Sequence, residues 1–411
     1  MTNLKAFLKS GHPPTLLAAF LYFDFSFAVW VLNGVMGPFI SEDFHLRPAQ
    51  TGFMISVPIM AGALMRFPLG VLSQYIGRKN AAIVEMSAIC IAMFSGWLFV
   101  KTYSEVLAMG LLLGIAGASF GVALSLGSGW FPREYKGLAM GIAGAGNSGT
   151  ALAALLAPRL ATHYGWQAVY GFASMMMLLP LGVMIFFAKE PPDHEEQGLK
   201  QHLQCLWQAD GWYFNFVYII TFGGFIGLST FLPTFYYTQF HVSKIEAGNL
   251  TVLAALVGSG VRVLGGYFAD KVGGITTLAV VFLLAIAGFL SLSIQPSLVV
   301  TTVLFMLCFA ALGAGNGALF QLVPLRWPLI TAVAGSMIGE IGALGGSFLP
   351  NVMGLSRQYT GSFAMGFVAF ALFALAVLGM LMVVQRQWTT TWVGKGGRAL
   401  REPERELVAQ D

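Results

Sequence analysis

The chain has 411 residues, of which 57% are hydrophobic and 10% are charged, with a mean hydropathy of +0.75. Soluble domains carry about 25% charged residues, and apolar runs long enough to cross a bilayer recur throughout this chain, so the composition excludes a soluble globular protein. The formal net charge of +4 identifies no class of partner, because most of the positive residues determine topology.

The apolar segments predict transmembrane helices. Strands of an outer-membrane barrel would be about ten residues long with strict alternation, whereas these runs are about twice that length. The first run follows Lys5 and Lys9 and is too long for a signal-peptide core, which predicts a retained helix. The prediction is an all-α polytopic membrane protein with twelve helices, at residues 16–40, 51–75, 80–100, 106–130, 138–161, 167–188, 211–237, 246–269, 275–294, 298–323, 330–354 and 361–385.

Basic residues predict how these helices are oriented. With both termini cytoplasmic, fifteen of the 22 lysines and arginines fall in cytoplasmic segments and five fall on the other side. By the positive-inside rule, this asymmetry predicts a multi-pass protein of the plasma (inner) membrane with both termini cytoplasmic. The remaining two, Arg66 and Arg262, lie within predicted helices.

One charged, proline-bearing stretch interrupts the apolar pattern. It reads "KEPPDHEEQGLKQHLQCLWQAD" and occupies residues 189–210. We interpret it as a cytoplasmic linker between a six-helix half at residues 1–188 and a second half at residues 211–411, which ends in a short cytoplasmic tail. Transporters are commonly built from such repeated halves.

An internal repeat supports the two halves. "RFPLGVLSQYIGR" from Arg66 aligns with "RVLGGYFADKVGG" from Arg262 at a constant offset of 196, which also places Gly77 on Gly273. Both copies resemble the loop signature of the major facilitator superfamily, which implies two pseudo-symmetric six-helix halves. The acid of that signature is kept only in the second copy, as Asp270.

The two arginines occupy equivalent positions, so they are predicted to face each other across the pseudo-twofold axis. Each lies 11 residues before its loop glycine, about 16 Å of helix rise, which is near the middle of the membrane. An arginine there costs about 2.5–3.5 kcal/mol even on the lenient insertion scale. The functional interpretation is an anion-binding pair, because two planar guanidinium forks suit a flat oxyanion. The alternative is structural pairing with a carboxylate within a helix: Asp24, Glu85 or Glu340.

Glycine-rich stretches recur in predicted helices 5 and 11. "GAGNSG" in helix 5 formally matches a dinucleotide fingerprint, but no strand precedes it. A stripe of small residues at four-residue spacing instead predicts close helix packing, as Gly141, Ala145, Gly149 and Ala153 in helix 5 and as Gly335, Gly339, Ala343 and Ser347 in helix 11. The 196 offset places Gly146 on Gly342 and Gly149 on Gly345. Close packing of helices that can still slide past each other would suit alternating access.

With these motifs in place, the sequence resembles the nitrate/nitrite porter family within the major facilitator superfamily. The paired signatures are "GIAGAGNSG" in helix 5 and "GALGG...P", from Gly342 to Pro350, in helix 11. Further matches are "GAGNGALFQLVP", "YFDFSFAVW" and "TFGGFIG". The resemblance covers nearly the whole membrane portion of the chain.

The resemblance implies one central substrate site. Its arginines fall on Arg66 and Arg262, its helix 5 asparagine on Asn147 and its helix 7 tyrosine on Tyr218, and flanking phenylalanines fall on Phe120 and Phe320. Two aromatic walls would admit a planar trigonal anion and exclude tetrahedral sulfate or phosphate. By residue type alone, a bond to a neighbouring helix is favoured for Asn147, and a packing or lipid-facing position is favoured for each phenylalanine.

Anion uptake against a negative-inside potential needs a driving force of about 2.3 kcal/mol per 100 mV. All six histidines lie in predicted loops or at helix ends, so an acid within a helix is the expected proton carrier. Asp24 is the candidate, since burial disfavours the charged form of a carboxyl. The alternative is an ionised Asp24 that neutralises Arg66 or Arg262. The resemblance favours proton-coupled nitrate uptake, with nitrate/nitrite exchange next and a carrier of short carboxylates outside the family.

Other classes of protein fit less well. No nucleophile–base pair or metal-ligand spacing predicts an enzyme, and Cys90, Cys205 and Cys308 are too far apart for a disulfide framework. Two halves with one central charged site favour alternating access over a channel, and no signalling domain is present for a sensor. The expected partners are nitrate or nitrite, protons and the lipid bilayer, with no nucleic acid, cofactor or metal, and the protein is predicted to be a monomer.

Overall fold

The computed structural model describes residues 4–192, 204–328 and 330–400, and helices dominate these ranges. Eleven of the helices described are long and apolar enough to cross a membrane. A helix satisfies every backbone hydrogen bond internally, which is required where no water is present. The prediction of an all-α membrane protein is confirmed.

The helices of the first half are labelled in chain order. A short helix, Leu4–Ser10, precedes them. They are α1 (Pro13–Trp30, followed by the short segments Leu32–Val35 and Gly37–Asp43), α2 (Pro48–Ile76), α3 (Arg78–Phe99), α4 (Tyr103–Ala116 and Ser119–Ser128), α5 (Arg133–Gly144, a 3₁₀ turn at Ala145–Ser148, and Gly149–Tyr164) and α6 (Trp166–Phe187).

The second half follows after a 3₁₀ turn at Gln204–Trp207. Its helices are α7 (Ala209–Tyr218, a π-helical turn at Ile219–Gly223, and Gly224–Phe240), α8 (Lys244–Val272), α9 (Gly274–Ser293), α10 (Leu298–Arg326), α11 (Thr331–Gly346 and Phe348–Thr360) and α12 (Ala364–Thr391). A last 3₁₀ turn is formed by Lys395–Gly397.

Interruptions of the helices are the main departure from the sequence prediction. The predicted helix at residues 330–354 is broken at Ser347, whose hydroxyl donates to the carbonyl of Leu344 at 2.7 Å. Helices α4, α5 and α7 are also interrupted, each beside glycines. Glycine lowers helix propensity by about 1 kcal/mol, so these points are where a helix most readily changes its hydrogen-bond pattern.

The predicted linker is only partly described, because its residues 193–203, like residues 401–411 of the predicted tail, lie outside the described ranges. Its first residues support α3. Glu190 accepts hydrogen bonds from the backbone N–H groups of Arg78 and Lys79, both at 2.8 Å. A carboxylate at a helix N-terminus satisfies otherwise unpaired donors and complements the helix dipole.

The turns repeat between the two halves. Residues with positive φ, a region that glycine enters at little cost, recur at the offset of 196 already seen for the arginines. The pairs are Gly77 (+87°) with Gly273 (+104°), Gly165 (+83°) with Gly361 (+72°), and His45 (+50°) with His241 (+52°). The predicted repeat therefore extends to the backbone conformation of three turns.

The described residues divide into two compact units. One contains residues up to 192 and residues 229–252, and the other contains residues 204–228 and those from 253 onwards. Consequently α7 and α8 each contribute to both units. The division predicted from the sequence, at residues 189–210, stays a prediction.

Candidate functional site

Arg66 lies on α2 in the first unit and is 5% exposed. Its guanidinium carbon is 5.5 Å from the ring centroid of Trp30 and 5.3 Å from that of Phe120. A cation held over aromatic faces is stabilised by about 2 kcal/mol when the contact is desolvated. Arg66 is thus oriented by two rings from α1 and α4.

The interruption of α4 supplies a third contact. Gly117 and Ala118 separate the two segments of α4, and their N–H groups bond back to Gly114 at 2.9 Å and Ile115 at 3.1 Å, in a tightened turn. The Gly117 carbonyl accepts a hydrogen bond from Nε of Arg66 at 3.0 Å. This bond and the two rings together hold the guanidinium in one orientation.

Trp30 was not predicted as a site residue, and it completes this region. Its indole nitrogen donates to the Pro58 carbonyl at 2.7 Å. A Cβ at either Gly62 or Gly117 would overlap the indole, so the absence of two side chains makes room for the ring. The position of Trp30 at the end of "YFDFSFAVW" was the available signal, but apolar helices contain tryptophans for many reasons.

Asp24 and Asn147 lie where α1 and α5 cross. A Cβ at Gly149 would overlap the Asp24 carbonyl oxygen, and one at Gly146 would lie 2.7 Å from the Asp24 nitrogen. The crossing places the Ser148 hydroxyl 2.5 Å from an Asp24 carboxylate oxygen, to which it donates. Asn147 is buried, and its Oδ1 has no hydrogen-bond partner among the residues described.

Of the three carboxylates considered for structural pairing, Asp24 and Glu85 lie in the first unit and Glu340 lies on α11 in the second unit. Within the described ranges, Asp24 is bonded by Ser148, and neither Asp24 nor Glu85 forms an ion pair. Neutralisation of an arginine by Asp24, the alternative raised from the sequence, is therefore not observed. Glu85 is 2% exposed and lies within α3.

Arg262 lies on α8 in the second unit, with its guanidinium carbon 5.9 Å from the ring centroid of Phe320 on α10. Phe320 packs edge-on against Tyr218, with ring centroids 5.4 Å apart. Tyr218 in turn stacks on Phe222 at 5.1 Å with nearly parallel rings. In this unit, three predicted site residues are therefore in successive contact: Arg262, Phe320 and Tyr218.

The backbone near Arg262 is closely packed by glycines. A Cβ at Gly317 of α10 would overlap the Arg262 carbonyl, and one at Gly313 would overlap the carbonyl of Gly258, one turn earlier on α8. Contact of this kind between backbones is the reason for small residues at membrane helix interfaces. It holds α8 and α10 together beside Arg262.

The predicted glycines of α11 contact α7. A Cβ at Gly342 would overlap the Tyr218 ring, and one at Gly345 would lie 2.5 Å from Ile219; Gly339 lies on the same segment. Tyr218 is the last residue before the π-helical turn, a feature often found at functional sites. By contrast, a Cβ at Gly141 would meet no atom within 4 Å, because Gly141 precedes the close crossing, and it packs against no helix among the residues described.

Comparisons with known proteins agree with this organisation. A family model described as Major Facilitator Superfamily matches residues 18–350. A probable nitrate transporter, NarT, of Staphylococcus carnosus is 32% identical over 356 residues, 86% of this chain and 91% of that protein. A nitrite extrusion protein of Bacillus subtilis is 29% identical over 88% of this chain and 91% of its own length. A probable nitrate/nitrite antiporter, NarK1, of Thermus thermophilus is 29% identical over 88% of each chain.

Solved structures agree at the level of the fold. An inward-facing, occupied bacterial homologue of the human lysosomal transporter Spinster superposes with a TM-score of 0.68 at 20% identity, covering 90% of this chain and 96% of that one. The human organic anion transporter MFSD10 gives 0.68 at 16% identity, covering 90% and 99%. The chain therefore belongs to the Major Facilitator Superfamily and, within it, to the nitrate/nitrite porters, as its paired glycine signatures predicted.

Proposed function

We propose that this protein imports nitrate across the plasma (inner) membrane by alternating access, driven by co-transported protons. One observation carries the proposal: in each unit, an arginine lies at the same repeat position and its guanidinium carbon is within 6 Å of a phenylalanine ring of the fourth helix of that half. Arg66 and Arg262 would supply the positive charge and the paired donors for nitrate, and Phe120 and Phe320 the flat apolar walls.

Asn147 and Tyr218 complete the proposed site. Asn147 has a buried amide oxygen, and turning its amide would present N–H donors to an anion instead. Tyr218 is fully buried at the start of the π-helical turn. Nitrate has three oxygens in one plane, so donors arranged around its edge and rings above and below it would select it over tetrahedral anions.

The orientation proposed follows from charge. With both termini cytoplasmic, Arg78, Lys79 and Arg326 lie on the cytoplasmic side, and Glu42 and Lys244 on the other. The predicted proton carrier is Asp24, whose carboxyl accepts the Ser148 hydroxyl in either protonation state. The relatives named as nitrate transporters support nitrate as the substrate.

Nitrate/nitrite exchange is the second candidate. It is favoured by the relative named as a probable nitrate/nitrite antiporter, which is almost as similar in sequence as those named as nitrate transporters. Exchange of two anions of equal charge needs no driving cation. The two candidates share the same anion-binding residues. They differ in whether a proton accompanies nitrate and in whether the carrier returns empty or loaded with nitrite.

The deciding experiment is nitrate uptake into proteoliposomes that contain the purified protein. Uptake is measured with an inward proton gradient, without a gradient, and with nitrite loaded inside. Acceleration by the proton gradient alone is the expected result and supports symport, whereas acceleration only by internal nitrite would replace symport by exchange.

Competition tests the substrate class in the same vesicles. Nitrate and nitrite are expected to displace each other, and formate and acetate to compete poorly. Efficient inhibition by the carboxylates would point instead to a carrier of short carboxylates.

A further inference from the structure

Glu85 is a carboxylic acid enclosed in the first unit without a partner. It lies in α3, seven residues after the first residue of that helix, and is 2% exposed. Neither of its carboxyl oxygens has a hydrogen-bond partner, and it forms no ion pair, among the residues described. The mechanism proposed above does not use this group.

The neighbours of α3 fix the depth of Glu85. On its N-terminal side, Arg78 donates to the Ser125 carbonyl of α4 at 3.3 Å. On its C-terminal side, the Cys90 carbonyl accepts a hydrogen bond from Ser174 of α6 at 2.9 Å. Glu85 lies between these two levels, inside the bundle and well within the membrane-spanning part of the helix.

Two buried hydroxyl groups, of Tyr22 and Ser26, lie on one face of α1. Phe23 faces Phe120 of α4, with ring centroids 5.3 Å apart, and Asp24 faces α5. Tyr22 and Ser26 are four residues apart and therefore share one face of α1, a helix that also packs against α3 and α6. Both side chains are fully buried, and neither hydroxyl has a hydrogen-bond partner within the described part of the chain.

Charged and titratable groups on the helices around α3 are engaged elsewhere. Arg66 of α2 bonds to Gly117, and Asp24 of α1 accepts from Ser148. Tyr170 of α6 donates to the Asn33 amide oxygen. Glu105 of α4 accepts from the backbone at the beginning of its helix.

On α3 itself, Lys79 donates to the Ile185 carbonyl and the Cys90 thiol to the Ser174 carbonyl. None of these groups is bonded to Glu85, and neither are Tyr22, Arg78 or Tyr103. An ionised carboxylate without a countercharge or a donor is strongly disfavoured in such surroundings, so this enclosure favours the neutral, protonated acid.

We propose that Glu85, rather than Asp24, binds the proton that is transported with nitrate; this inference rests on the symport proposed above. The proton leaves when the alternating movement admits water to the Glu85 carboxyl: the O–H bond breaks, water accepts the proton, and a carboxylate remains. Helix α3 packs on the α4 segment Ser119–Ser128, which carries Phe120 and so connects Glu85 to the ring beside Arg66.

The test compares the wild type with Glu85→Gln and Asp24→Asn in proteoliposomes. Glutamine keeps the shape and neutrality of the protonated acid, so Glu85→Gln is expected to fold. Nitrate-driven proton uptake is recorded with an internal pH dye, and nitrate/nitrate counterflow is measured in the same preparations. A third readout is the infrared carbonyl band of a protonated carboxylic acid, compared between the wild type and Glu85→Gln.

The expected result is loss of nitrate-driven proton uptake in Glu85→Gln with counterflow retained, together with loss of one protonated-carboxyl band. Proton uptake that persists in Glu85→Gln, or that disappears only in Asp24→Asn, would overturn the role of Glu85 while symport stands. Nitrate counterflow by the wild type without any proton uptake would overturn both symport and this role. Absence of nitrate counterflow in the wild type would overturn the proposed function itself.

Discussion

The two arginine regions are built from the same repeat but held in different ways. Arg66 is buried between two rings, and the break in α4 supplies a carbonyl for its Nε. Arg262 is half-buried, lies beside Phe320, and sits on a helix whose partner α10 is continuous and packed against it by glycine. In the first region two rings and a backbone carbonyl contact the guanidinium itself, whereas in the second the contact between backbones fixes the helix that carries the arginine.

The repeat therefore keeps the position of the arginine in the helix, whereas the residues that hold the arginine differ between the two halves. Gly117 of α4 and Gly317 of α10 each lie three residues before the phenylalanine that is beside the arginine of the same half. Gly117 makes room for an indole, and Gly317 for a carbonyl. Substitutions at paired positions should therefore give unequal results.

The largest effect is expected for replacement of either arginine by lysine. Lysine keeps the charge but loses the planar fork, so Arg66→Lys and Arg262→Lys should each weaken nitrate binding by about 1.5–3 kcal/mol, about tenfold to a hundredfold. Because Arg66 is buried and bonded to Gly117 whereas Arg262 is only half-buried, the melting temperature of Arg66→Lys should fall more than that of Arg262→Lys. Nitrate titration and thermal melting of the purified variants measure both quantities, and near-native affinity in either variant would contradict the arginine pair.

The next effect concerns the paired glycines. Gly317→Ala places a methyl group against a backbone carbonyl that no rotamer change relieves, so a loss of stability of about 1–3 kcal/mol is expected. Gly117→Ala meets the Trp30 side chain, which can shift in part, and should cost less. Gly260→Ala on α8 is the matched control, because a Cβ there meets no atom within 4 Å. Equal melting temperatures for Gly317→Ala and Gly117→Ala would contradict the proposed difference between a backbone contact and a side-chain contact.

A smaller effect is expected from the aromatic walls. Phe120→Leu removes the face presented to a buried guanidinium and should reduce nitrate affinity by about 2 kcal/mol, whereas Phe320→Leu, beside the half-buried Arg262, should cost about 0.5–1 kcal/mol. Binding titrations at low and high salt measure the change. A larger loss of nitrate affinity in Phe320→Leu than in Phe120→Leu would mean that the region of Arg262 is the more desolvated one.

The smallest effect is expected for an ion pair on the last short segment of α1. Glu42 of the segment Gly37–Asp43 pairs with Lys244 and accepts a bond from Tyr237, and the hydrogen bond and charge of Lys244 lower the pKa of Glu42. Because the folded-state pKa is lowered, the pair contributes stability above the ordinary pKa of glutamate and loses it as the pH falls through the lowered value.

The Glu42 side chain is 59% exposed, so Glu42→Gln should cost at most about 1 kcal/mol near neutral pH. The difference in melting temperature between Glu42→Gln and the wild type should vanish in acid. A difference that persists once Glu42 is protonated would mean that Lys244 is not the cause.

Much of the fold could be predicted from the sequence because hydropathy acts over twenty residues at a time. The helices, the repeat offset and the depth of both arginines follow from run length and helix rise, and they need no knowledge of contacts. The break at Ser347 and the interruption at Gly117 could not be predicted, since they depend on local hydrogen bonds beside glycine, where helical and tightened turns differ little in energy.

The candidate site divides in the same way. Motif and offset were enough to predict which residues form the site: the arginines, Asn147, Tyr218 and the phenylalanines. Their contacts depend on the folded chain: the Trp30 ring beside Arg66, the bond from Ser148 to Asp24, and the enclosure of Glu85 without a partner among the residues described. The physical reason is that an apolar helix has no unique outward face in its sequence, so neighbouring helices alone determine which side chains are buried together.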